Sequence, residues 1–202
     1  MTTQAAGSGR TQQKRRTRTA IVAAARDLVD SGAEVTMPAV ARAALVSEAT
    51  AYRYFPDLPS LIGEALTGAW PPPAEALAPV ADSADPVERV AFACAFLLRG
   101  ILAREGAVRA MIAATVTRPG GENVRPGIRF GLIDHALLPL EGTLGATDPE
   151  AFAQLKRDLA VVVSAEALFT LTDLCGLAPD EAVASAVRTA RTLTEAAVRA
   201  VP

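Results

Sequence analysis

An all-α protein is predicted, on three observations. Alanine, leucine, arginine and glutamate are abundant while aromatics make up only 4% of the chain, a composition that favours helix over strand. Apolar residues recur three and four positions apart through most of the sequence. Glycine and proline fall where those patterned runs start or stop. At 202 residues the chain is one domain or a small domain joined to a larger one, and either buries a real core.

The first run spans Thr17 to Ser31, with Ile21, Val22, Ala25, Leu28 and Val29 at helical spacing and Gly32 behind it for a left-handed cap. Thr36 is a candidate N-cap and Pro38 suits a first turn, which predicts a short helix from Met37 to Ala44. Leu45 and Val46 form a tight connection. Ser47 then caps a helix from Glu48 to Phe55, which Pro56 discourages from continuing. Two short helices about such a turn make a helix-turn-helix. Asp57 caps a fourth helix through Leu58, Leu61, Ile62, Ala65 and Leu66, with Pro59 in its first turn.

The proline-dense stretch WPPPAEALAPVADSADP, 70–86, ends that unit, and a second domain follows. Asp85 and Pro86 open a long helix through Val90, Phe96 and Ile101. Another runs around Val108, Met111 and Val116 until RPGGENVRPG, 118–127. Further helices are expected at 128–141, 149–175 and 179–200, Gly176 closing one and Pro179 opening the next. No internal repeat is found. The expected organisation is a flexible basic arm over 1–14, a helix-turn-helix domain over 15–69 and a larger helical domain over 70–202, about nine helices in all.

Net charge is −2, unevenly spread. Residues 1–60 carry eight Lys/Arg against five acids, +3, and the remainder 12 against 17, −5. Up to Arg18 there are five cations (Arg10, Lys14, Arg15, Arg16, Arg18) and no acid, which reads as a polyanion contact or as a solvated basic tail. No run reaches the roughly 18 apolar residues that a bilayer span needs, so no membrane partner is expected. The N-terminus lacks the pattern of a secretory signal, and cytoplasmic residence is the default expectation. Cys94 and Cys175 are far apart in apolar patterns, as buried free thiols are, and form no metal site by spacing. No cofactor is called for.

VSEATAYRYFPD, 46–57, holds both tyrosines and one of six phenylalanines. On a helix from Glu48, Ala51 and Phe55 lie one turn apart and face inward, leaving Glu48, Ala49, Thr50, Arg53 and parts of Tyr52 and Tyr54 outward. A recognition helix needs this division: small or hydrogen-bonding groups enter the major groove, and tyrosine hydroxyls reach phosphates on either wall. A packing role for all three aromatics is the alternative.

The segment TMPAVARAALVSEATAYRYFPDLPSLIGEAL, 36–66, resembles the DNA-binding domain of TetR-family transcriptional regulators, with its VS and T-x-Y-x-Y-F pattern. Residues 167–193 are similar to the last two helices of many members. The resemblance implies that the Thr36 hydroxyl meets phosphate, that Ser47, Glu48, Ala49 and Thr50 face the groove, and that Tyr52 and Tyr54 are a phosphate-binding pair. Arg53, between the tyrosines, reaches a base edge or a phosphate, and Arg15, Arg16 and Arg18 add backbone contacts from the basic segment. Three departures stand out. Leu45 replaces a usual glycine, placing a side chain where positive φ costs about 1 kcal/mol. Asp57-Leu58 replaces a frequent Ser-Lys, removing a lysine for which the basic arm compensates. Ala51 replaces a larger apolar residue.

One such module contacts few phosphates, so a homodimer reading a palindromic operator in double-stranded DNA is expected. Its interface is assigned to the two C-terminal helices, since 179–200 is rich in small residues and pairs with 149–175 as half of a four-helix bundle. An ordinary internal helix is the other reading. Glu166 sits within an apolar stripe and needs a partner: Arg188 or Arg191, their copies in a second subunit, or a ligand amine. His135, the only histidine, is either a satisfied core or surface residue or the polar group of an apolar pocket lined by Phe92, Phe96, Met111, Phe130 and Phe169. The pocket would take a small, largely apolar effector that releases the repressor from its operator.

Two other classes compete. A small helical enzyme using His135 lacks a supporting motif such as G-x-S-x-G, a glycine-rich phosphate loop or a Cys/His cluster, and no enzymatic activity is expected. A sequence-independent DNA-binding protein fits poorly with the acidic C-terminal two-thirds.

Overall fold

A computed structural model of the chain describes residues 5–117 and 127–200, and all regular structure among the described residues is helical. The first helix, α1 (Ala5–Asp30), starts well before the apolar stripe at Ile21. The arm expected over 1–14 is therefore helix from Ala5 onward. Gln12, Gln13, Lys14, Arg15 and Arg16 lose little rotamer freedom in a helix, and no proline precedes Pro38. Residues 1–4 of that arm and most of the 118–127 break lie outside the described residues.

α1 ends on Gly32 at φ 70°, where Ala33 N–H reaches the Leu28 carbonyl at 3.2 Å and Gly32 N–H that of Val29 at 3.2 Å. These two bonds are the Schellman cap. α2 (Met37–Ala43) is capped by Thr36, whose hydroxyl accepts from Ala39 N at 3.3 Å. α3 (Glu48–Tyr54) stops where Phe55 turns extended at φ −134°, ahead of Pro56. α4 (Leu58–Ala65) opens on Asp57, which accepts from Ser60 N at 2.9 Å.

The remaining helices are α5 (Pro73–Ala76), a 3-10 turn at Ala78–Val80, α6 (Pro86–Leu102), α7 (Glu105–Thr117) and α8 (Ile128–Ala136), then α9 (Leu138–Glu141) and α10 (Leu144–Thr147). After them come α11 (Pro149–Val162), α12 (Ala165–Phe169), a π-helical turn at Thr170–Leu174 and α13 (Pro179–Arg199). Two runs read as single helices are broken. The 128–141 run parts at Leu137 because Pro139 cannot donate to the carbonyl four residues back. The 149–175 run parts after Val161, Val162 and Val163, where Ser164 becomes an N-cap and accepts from Ala167 N at 3.0 Å.

The described residues form two compact units, α1–α4 with α7, and α5–α6 with α8–α13. A domain boundary assigning everything beyond residue 69 to the second domain does not hold for α7, which packs on α4. The core of the first unit is built from Ile21, Ala25, Val40, Ala51, Phe55 and Leu61, all essentially sealed from solvent, with Ala107 of α7 added to it. In the second unit α13 lies along α6 and α11, while α8 and α12 also contact α6. Gly100 of α6 leaves room for the ring of Trp70, which meets Phe96 edge-on with centroids 6.1 Å apart.

One buried charge organises this second unit. Arg89 of α6 is 3% exposed and spends its donors on backbone carbonyls. Its Nε reaches Ala136 O at 3.2 Å and its Nη2 reaches His135 O at 2.8 Å, the carbonyls at the broken end of α8. Its Nη1 donates to Val80 O at 2.8 Å and Ala81 O at 2.9 Å, fastening the 3-10 turn. The negative end of a helix is a favourable seat for a guanidinium.

Candidate nucleic-acid interface

The turn between α2 and α3 sets the pointing of the short aromatic helix. Leu45 adopts φ 55°, Val46 N–H bonds Ala41 O at 3.0 Å and Leu45 N–H bonds Arg42 O at 3.1 Å, a full Schellman cap made with leucine where glycine is usual. The Leu45 side chain is 93% exposed, so no packing offsets the backbone strain. Chain direction reverses at once into Ser47, whose hydroxyl accepts from Thr50 N at 3.2 Å and bonds the Thr50 hydroxyl at 2.9 Å.

α3 is held by one edge only. Ala51 and Phe55 are buried in the core of the unit, so alanine suffices at that position and leaves no exposed gap. Glu48, Ala49, Tyr52 and Arg53 are exposed; Thr50 and Tyr54 are half-buried. Tyr54 packs its ring on the core, and the Arg53 guanidinium lies over that ring at 5.6 Å from its centroid. Tyr52 is 48% exposed. The outward set is thus small or polar side chains at the N-terminal end of the helix and two tyrosines and an arginine beyond it.

Four further positions carry an expected DNA contact. Thr36 is half-buried and occupied in capping α2. Arg15 and Arg16 are exposed on α1. Arg18 differs from them, since its Nη1 donates to Glu64 Oε1 of α4 and its guanidinium stands 4.8 Å from the Phe55 ring centroid. Its assignment as a simple backbone contact overlooked both partners, which lie 37 and 46 residues away along the chain.

The residues grouped as an effector pocket do not all come together. Met111 belongs to α7 and packs against the core of the first unit. Phe92, Phe96, His135 and Phe169 are half-buried in the second unit, on α6, α8 and α12, whereas Phe130 is exposed beneath the Arg129 guanidinium. Glu166 is paired with neither Arg188 nor Arg191. Arg129 of α8 approaches its Oε2 at 3.6 Å and also donates to Ala160 O at 3.3 Å. Cys94 is sealed in α6, where burial pushes its thiol up to about 12, while Cys175 is exposed rather than buried.

A helix-turn-helix whose second helix exposes this set is the reading head of a DNA-binding transcriptional regulator. Residues 20–64, from within α1 into α4, match the family described as bacterial regulatory proteins, tetR family, so this segment is similar to that family's DNA-binding domain. No curated protein and no solved structure matches the chain. Among the described residues no helix is long and apolar enough to cross a membrane.

Proposed function

We propose that the protein is a repressor that binds a palindromic operator as a homodimer and is released by a small, largely apolar effector. The observation that carries the DNA half of this reading is the division of α3 into a buried edge, Ala51 and Phe55, and an exposed edge, Glu48, Ala49, Tyr52 and Arg53. In it Ser47, Glu48, Ala49 and Thr50 face base edges, Tyr52 and Tyr54 hold phosphates, and Arg53 discriminates bases. Thr36, Arg15 and Arg16 add backbone contacts.

Dimerisation through α11–α13 is supported by apolar side chains left open there, Val161 at 71% and Leu174 at 82% exposure, and by alanines 184 and 196 on the outer face of α13. The effector half rests on Phe92, Phe96 and Phe169 with His135 as the polar group, carried on α6 and on α8 and α12, each of which contacts α6 in the second unit. An effector acts only through unequal affinity for the two conformations.

The test combines two assays. A panel of apolar small molecules is screened by thermal shift, and each binder is then titrated into a protein–operator complex. A binder that raises the melting temperature and also weakens operator affinity supports the repressor reading. Binders that stabilise the protein and leave operator affinity unchanged remove the coupling.

A further inference from the structure

We infer that Arg18 is a positioning residue for the recognition helix rather than a phosphate ligand, joining α1 to α4 through Glu64 and covering the Phe55 ring at the end of α3. The inference rests on α3 being the DNA-reading helix. Its Nη1 is given to Glu64 Oε1, and the face of the same guanidinium lies 4.8 Å from the Phe55 centroid. Edge and face are thus both engaged, an arrangement that a planar guanidinium supports and an ammonium does not. Phe55 is 2% exposed and closes α3, so a group fixed on its ring fixes the end of the helix.

A second arginine of α1 acts on α4 in the same sense. Arg26, about two turns further on, donates from Nε to Ala65 O at 3.0 Å and from Nη2 to Thr67 O at 3.5 Å, at the C-terminal end of α4. α1 therefore grips α4 at an acid and at its last carbonyls, with the anchor of α3 beside the first grip. To reach a phosphate, Arg18 would have to leave both Glu64 and Phe55, whereas Arg15 and Arg16 are exposed already. A half-exposed ion pair contributes little stability alone, so the consequence of losing Arg18 lies in where α3 points.

Duplexes enriched by the wild-type protein from a randomised pool, and scrambled duplexes of equal length, are the probes. The variants are Arg18→Gln, Arg18→Glu, Glu64→Arg and the double reversal Arg18→Glu/Glu64→Arg. Arg18→Gln is expected to bind the enriched duplex roughly tenfold more weakly, about the loss of one base contact, with under about threefold change on scrambled DNA and an unchanged salt slope. The double reversal recovers most of the affinity that Arg18→Glu loses. A salt slope reduced by about 0.9 per phosphate, with equal losses on both duplexes and no recovery, makes Arg18 a phosphate ligand and overturns the inference. Unchanged affinities with only a lowered melting temperature make it a stability contact, and overturn it equally. Should the wild-type protein enrich no sequence, the reading of α3 fails instead. The grip on α4 is then judged by melting temperature, which each single reversal lowers and the double restores; no restoration ends the inference.

Discussion

Arg89 Nη2 donates to the carbonyl of His135 at 2.8 Å, taking the place of the N–H that Pro139, four residues on, does not have. A proline that breaks a helix leaves a buried acceptor, and here a side chain 46 residues earlier supplies the donor. Replacing Arg89 with methionine keeps the volume and strands the buried carbonyl of Ala136 together with the part-buried ones of His135 and Val80, and an unsatisfied buried group costs about 1–3 kcal/mol. Urea denaturation is expected to show at least about 3 kcal/mol lost, and Arg89→Lys, with one compact donor head, recovers only part of it.

Leu45 pays for its left-handed backbone with no contact in return. Leu45→Gly is therefore expected to raise stability, by about 0.5–1 kcal/mol, offset in part by the greater entropy of glycine in the unfolded chain. Equilibrium unfolding measures it. A loss of stability would show that the turn is not strained.

Gly100 and Trp70 occupy one space. A methyl group at position 100 meets the far edge of the indole ring, so Gly100→Ala displaces the only tryptophan of the chain. Overpacking of this kind costs about 1–3 kcal/mol. The expected signature is a red shift of tryptophan emission together with a lowered unfolding midpoint.

The two cysteines differ in reactivity. Cys94 is buried and its thiol is raised to about 12, so at neutral pH it is neutral and inaccessible. Cys175 is exposed. A thiol reagent added to the native protein is expected to label one site, Cys175, and to label both after denaturation. Because the folded thiol titrates at about 12 against 9.0 when unperturbed, the unfolded chain ionises first on raising pH. Stability from this group is therefore constant below about pH 9 and declines from there toward pH 12. Cys94→Ser removes that decline.

Much of the first unit was legible in sequence because its signals are local. Thr36 and Ser47 lie immediately before their helices, Leu45 stands where the resembled family usually has a glycine of positive φ, and Ala51 and Phe55 are one turn apart. What escaped depends on distant partners. Arg89 finds α8 across 46 residues, Glu166 meets Arg129 rather than an arginine of α13, and Met111 joins the core of a unit whose other helices end at Ala65. The helical start at Ala5 was hidden for another reason: the polar residues 11–16 that follow it are exposed, so no apolar period marks it.

Contacts to bases and contacts to phosphates separate by their response to sequence. Tyr52→Phe and Tyr54→Phe are expected to weaken binding to enriched and scrambled duplexes by similar factors, and Arg15→Ala and Arg16→Ala to lower the salt slope by about 0.9 per phosphate lost. Arg53→Ala and Thr50→Ala alter site preference as well. Equal losses on both duplexes for the last two would remove them from base reading.

Sequencing the duplexes that the wild-type chain retains from a randomised pool tests most directly whether Ser47–Tyr54 meets base edges. The account predicts one inverted repeat, its half-sites about one or more helical turns apart, that shifts in sequence when Thr50 or Arg53 is changed. Retention of DNA with no sequence enriched over the input would contradict it.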